Sequence, residues 1–127
     1  MESPKEKEAF SVIARAKSFA HAWRGIVVHV RSTHNAWIQI FLALVAFVLG
    51  IYYHISSTEW IMLVFAIGFV MSAEAFNTAL EIDVNLTSPE YHPFARDIKD
   101  VSAGAVLISA VTALVVGLVI FLPKIFF

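Results

Sequence analysis

Three long apolar runs, residues 36–53, 60–80 and 101–122, constrain this chain more than any other feature. A helix rises about 1.5 Å per residue, so roughly 20 residues match a hydrocarbon core near 30 Å. Of the 127 residues, 59% are hydrophobic and only 15% charged, where about 45–50% and 25% are usual for soluble domains. The excess is gathered into the runs rather than dispersed at a helical or strand period. That excludes a conventional water-soluble globule. The expected fold is an all-α integral membrane protein, one domain over residues 1–127, with three transmembrane helices.

Other classes fall away on composition. The net charge is −1 and there is no cysteine, so neither nucleic-acid attraction nor disulfide, thiolate or iron–sulfur chemistry is expected. The opening MESPKEKEAF is polar and mixed in charge, so no cleavable signal peptide is expected.

Orientation follows from the basic residues. Lys5, Lys7, Arg15, Lys17, Arg24 and Arg31 precede the first run, and Arg96 and Lys99 lie between the second and third. Only Lys124 lies beyond the third. The positive-inside rule therefore predicts a cytoplasmic N-terminus, an outer 54–59 hairpin, a cytoplasmic loop over 83–100 and an outer C-terminus. Residues 8–30 read as an amphipathic helix, with Phe19, Trp23, Ile26 and Val30 along one stripe and Lys17, Arg24 and Arg31 along another. Such a helix suits the headgroup interface or a partner subunit.

The second run does not end as a lipid-facing helix should. Glu74, Asn77, Thr78, Glu81 and Asn85 stand at offsets of 0, 3, 4, 7 and 11, which share one face at about 100° per residue. A carboxylate inside a membrane segment is costly unless paired or hydrated, and so marks a candidate functional site. Asn77 and Thr78 alone also suit helix–helix bonding in an oligomer. Glu81, nearer the headgroups, suits a Mg²⁺ ion shared with phosphates. Next comes TSPEYHPFARDIKD, in which Pro89 and Pro93 predict a turn. Glu90, Tyr91 and His92 offer acceptor, ring and imidazole there. Lys99 and Asp100 are expected at the start of the third span, where a lysine gains nothing from the helix dipole and so suggests an anionic ligand. Together these groups outline a cytoplasmic-side nucleotide site.

The blocks Glu74-Ala-Phe-Asn77-Thr-Ala-Leu-Glu81, Ser88-Pro-Glu-Tyr-His-Pro, Ala95-Arg-Asp-Ile-Lys99-Asp100 and Ala103-Gly-Ala-Val-Leu resemble the prokaryotic diacylglycerol kinase family. The Pro-Glu-Tyr-His-Pro form looks closest to its undecaprenol kinase branch. The resemblance implies a homotrimer of three-span chains in the bacterial inner membrane, with active sites between subunits. It implies transfer of the γ-phosphoryl group of ATP, as MgATP, to a lipid alcohol, undecaprenol or diacylglycerol. By position, Glu74 would be the general base on the lipid hydroxyl and Asn77 would orient it. Glu81 would hold Mg²⁺, and Lys17, His21, Glu81, Glu90, Tyr91, His92, Lys99 and Asp100 would meet the nucleotide. Two positions depart from the family: Thr33 replaces a second metal-binding Glu, and Asn85 replaces an Asp. Two other classes stay open: a small oligomeric transporter, with polar residues through the full membrane depth, and a catalytically silent or weak homologue.

Overall fold

The computed structural model describes the backbone of residues 4–127 and the side chains of residues 12–127. The described chain comprises four helices: α1 (Pro4–Ser32), α2 (His34–Tyr52), α3 (Ser57–Thr87) and α4 (Pro93–Phe126). The last three are each long and apolar enough to cross a membrane. α1 and α2 meet at Thr33, whose extended backbone (φ −135°, ψ 135°) interrupts the helix for one residue.

The α2–α3 hairpin is built from local hydrogen bonds. Tyr53, His54 and Ile55 donate backbone N–H groups to Leu49, Ile51 and Gly50, with His54 in the left-handed region at φ 50°. Ser56 then caps α3 reciprocally: its hydroxyl accepts from Glu59 N, and the Glu59 carboxylate accepts from Ser56 N. Gly50 matters here because a Cβ at that position would lie 2.7 Å from the Trp60 ring. Its absence lets Trp60 stack on Phe47, with ring centroids 5.5 Å apart.

α3 and α4 pair antiparallel over most of their length. At the hairpin end, Lys124 Nζ meets Glu59 Oε2 at 2.7 Å, above a small core of Ile55, Leu63, Ile120 and Phe121. Most other large apolar side chains of α2, α3 and α4 are exposed on the single chain, as lipid-facing or partner-facing surface is. Between α2, α3 and α4 lies an apolar crevice of about 640 Å³, walled by residues such as Leu42, Leu49, Leu63, Met71 and Phe121, with Gln39 among them.

The expected 83–100 loop is corrected. α3 runs on through Thr87, and α4 already begins at Pro93, leaving only five residues between them. Pro93 occupies the first turn of α4, where the missing N–H is no loss and the fixed φ suits a helix start. His92 caps that helix, its Nδ1 accepting from Phe94 N at 3.1 Å. At about 1.5 Å per residue, the 31-residue α3 and 34-residue α4 exceed a 30 Å hydrocarbon core. Both helices therefore project beyond it.

α1 is a continuous helix of 29 residues. Phe19, Trp23 and Ile26 are exposed on the single chain, whereas His29 is buried against α3.

Candidate functional site

Polar contacts between helices concentrate at the loop end of α3, on the stripe that the sequence pattern marks. Glu74 is buried at 6% exposure, and its Oε1 accepts from Gln39 Nε2 of α2 at 2.6 Å. One turn on, Thr78 donates to the Glu74 carbonyl at 3.0 Å. The same hydroxyl oxygen lies 2.9 Å from His29 Nδ1 of α1. The imidazole tautomer sets which of the two donates in that second bond. Glu74 and Thr78 thus anchor α2 and α1 respectively.

Other members of the stripe turn toward α4. Ser102 donates to Asn77 Oδ1 at 2.7 Å, and Asn77 Nδ2 reaches Glu81 Oε1 at 3.3 Å. Lys99 Nζ donates to Asn85 Oδ1 at 2.8 Å. Glu74 and Glu81, seven residues apart, are separated by about 10 Å along the axis. The result is an acid in apolar surroundings, a second acid nearer the α3–α4 loop, and one exposed lysine beside it. Among the described residues Lys99 pairs with no carboxylate.

Lys99 does not stand at the head of a helix, as expected. It lies nearly two turns inside α4, because the helix starts at Pro93 rather than near Val101. The helix-dipole argument for an anion at Lys99 therefore lapses, and the Asn85 contact places this side chain instead. Asp100 is engaged by Arg96 at 3.7 Å across one exposed turn. Glu90 and Tyr91 are exposed in the short loop, and His92 serves as the α4 cap. Lys17 and His21 are exposed on α1, with no hydrogen bond to α3 or α4 among the described residues. Thr33 donates weakly to the His29 carbonyl at 3.4 Å. Among the described residues no three His, Cys, Asp or Glu side chains gather closely enough to hold a metal. Thr33 and Glu81 form no closed ligand set within one chain.

Three residues of this network were not singled out from the sequence as site residues: Gln39, His29 and Ser102. Gln39 carried a signal, as the lone polar residue of the first apolar run. His29 and Ser102 carried little, since each is a single polar residue whose partner lies on another helix.

Apart from the Glu59–Lys124 pair at the hairpin end, the polar contacts between helices among the described residues lie at the loop end of α3, and the crevice beyond them is apolar. A transporter path needs polar groups across the full depth. The family profile described as Prokaryotic diacylglycerol kinase matches residues 20–121, and the chain belongs to that family. It is thereby a bacterial membrane protein of a lipid-kinase family. It is 40% identical over 108 residues to an undecaprenol kinase of Bacillus subtilis (strain 168), covering 85% of this chain and 88% of that protein. It is 34% identical over 122 residues to a diacylglycerol kinase of Synechocystis, covering 94% and 70%. It is 26% identical over 106 residues to the diacylglycerol kinase of Escherichia coli (strain K12), covering 78% and 81%.

Proposed function

We propose that this chain phosphorylates a lipid alcohol of the polyprenol type with MgATP at the cytoplasmic face of the bacterial inner membrane. The observation that carries the reading is Glu74: a buried carboxylate at the loop end of a membrane helix, oriented by a single amide. In this reaction Glu74 Oε2 takes the proton of the lipid hydroxyl, the hydroxyl oxygen bonds to the γ-phosphorus, and ADP leaves. Phosphoryl transfer asks mainly for positioning and charge neutralisation, with a carboxylate accepting the hydroxyl proton.

The substrate Mg²⁺ rides on the ATP phosphates and needs only one or two protein carboxylates. Glu81 would supply one, and the Asn77 amide at 3.3 Å from its Oε1 supports that role. Lys99, held out by neutral Asn85, keeps its charge for phosphate. Glu90, Tyr91, His92 and Asp100 on one side, and Lys17 and His21 of α1 on the other, are the remaining nucleotide contacts in this scheme. Thr33 would offer only a neutral oxygen to the metal. The lipid's hydrocarbon chain has apolar surface at hand in the crevice between α2, α3 and α4, whose wall includes the amide bound to Glu74.

The N-terminus lies inside by the positive-inside rule, with α1 along the headgroups, its basic residues toward phospholipid. The exposed apolar flanks of α2, α3 and α4 supply surface for a homotrimer with shared sites. The preference for undecaprenol rests on the 40% identity to the undecaprenol kinase of Bacillus subtilis. The test is transfer of labelled γ-phosphate to undecaprenol or diacylglycerol by the full chain in detergent. Faster labelling of undecaprenol is expected; exclusive labelling of diacylglycerol overturns the preference, and labelling of neither overturns the kinase reading.

A further inference from the structure

Gln39 alone breaks the apolar run of α2, and it does so opposite Glu74. Its Nε2 donates to Glu74 Oε1 at 2.6 Å, while its own Oε1 is buried and has no partner. A leucine there would suit the apolar wall shared with Leu42, Ala43 and Met71 and would remove the unpaired amide oxygen, but it would leave Glu74 Oε1 without its donor. Buried polar atoms without partners are costly and rare, and each calls for an explanation. Turning the amide over gives no relief. It would set the Gln39 carbonyl oxygen against a carboxylate oxygen, acceptor facing acceptor. The amide is held in one orientation by the carboxylate, and its carbonyl is left unpaired as the consequence.

We propose that Gln39 is a positioning residue for Glu74. Its N–H fixes one carboxylate oxygen, so that the other is presented to the lipid hydroxyl. The inference rests on the reading of Glu74 as the base. Gln39 itself exchanges no proton; the hydroxyl proton passes to Glu74 Oε2 as described. The charge-assisted bond it makes is among the stronger single hydrogen bonds a protein offers. The Thr78 hydroxyl at the Glu74 carbonyl fixes only the backbone of that turn, so among the described residues the carboxylate itself is oriented from α2 alone.

The experiment measures lipid phosphorylation and thermal unfolding of the full chain in detergent for Gln39→Leu, Glu74→Asp, their combination and Glu74→Gln. Gln39→Leu is expected to lower kcat about tenfold or more, with KM for ATP unchanged. Its unfolding temperature is expected to stay well above the assay temperature: the bond to Glu74 Oε1 is lost, which destabilises, and the unpaired amide oxygen is removed, which offsets part of that loss. Glu74→Asp draws the carboxylate back from the amide by one carbon. In that background Gln39→Leu is expected to cost less than about twofold, as residues acting through one contact are not additive. A kcat for Gln39→Leu near wild type overturns the proposal. So does a lowered unfolding temperature that accounts for the lost activity, or a full tenfold loss in the Glu74→Asp background. Wild-type transfer by Glu74→Gln overturns the assignment of the base, whatever Gln39 does.

Discussion

Ser102→Ala removes the donor that holds the Asn77 amide in register with Glu81. The serine is 6% exposed, and its Oγ lies 2.7 Å from Asn77 Oδ1 and 3.0 Å from the Lys99 carbonyl. One hydroxyl carries one proton, and the shorter contact is the principal one. With Oδ1 fixed, Asn77 must present Nδ2 to Glu81, which it does at 3.3 Å. Without the serine the amide can turn, and in the proposed scheme the Glu81 carboxylate would then lose its alignment for the metal on ATP. A neutral hydrogen bond of this kind is worth about 1 kcal/mol, or about fivefold in a binding constant. The half-saturating Mg²⁺ concentration should therefore rise about fivefold at fixed ATP, with kcat at saturating Mg²⁺ nearly unchanged. Ser109→Ala is the control, because Ser109 is fully buried on α4 but bonds only the Val106 carbonyl. An unchanged Mg²⁺ requirement in Ser102→Ala, or an equal rise in Ser109→Ala, would refute the Ser102–Asn77–Glu81 connection.

Two further outcomes follow from the same geometry. Thr33→Glu should lower the Mg²⁺ requirement and raise turnover, because a carboxylate is a far stronger Mg²⁺ ligand than a neutral hydroxyl; superimposable Mg²⁺ curves would show that the second carboxylate is dispensable here. Gly50→Ala should destabilise the hairpin end, since the new methyl group would lie 2.7 Å from the Trp60 ring. Overpacking of about 1–3 kcal/mol outweighs the roughly 1 kcal/mol helix-propensity gain of alanine, and a higher unfolding temperature in detergent would contradict this.

The membrane helices were legible from the sequence because hydropathy over some 20 residues is a one-dimensional signal. The Glu74 to Asn85 stripe was legible for a related reason: its members share a face by helical periodicity alone. The 83–100 loop was misjudged because proline has two meanings. Pro93 ends what precedes it and also begins α4, and only the His92 cap decides between a loop and a new helix. Cross-helix partners were illegible for a different reason. Gln39 meets Glu74, His29 meets Thr78 and Ser102 meets Asn77 only once packing has set the register between helices. No spacing within one helix encodes that register. Asn85 shows the same limit. It stood out in the sequence as a lost carboxylate, whereas in the fold it is the neutral partner that places Lys99.

The central claim is that Glu74 is the base for phosphoryl transfer to a lipid hydroxyl. The most direct measurement compares wild type and Glu74→Gln for transfer of labelled γ-phosphate to undecaprenol in detergent, with nucleotide binding followed on the same samples. The substitution keeps the size and removes the proton acceptor. Transfer should fall by about 10²–10⁴-fold, the usual cost of losing a positioned acid–base group, while binding of MgATP stays close to wild type. Retention of more than about a tenth of wild-type transfer, with that expected loss in view, would contradict the account.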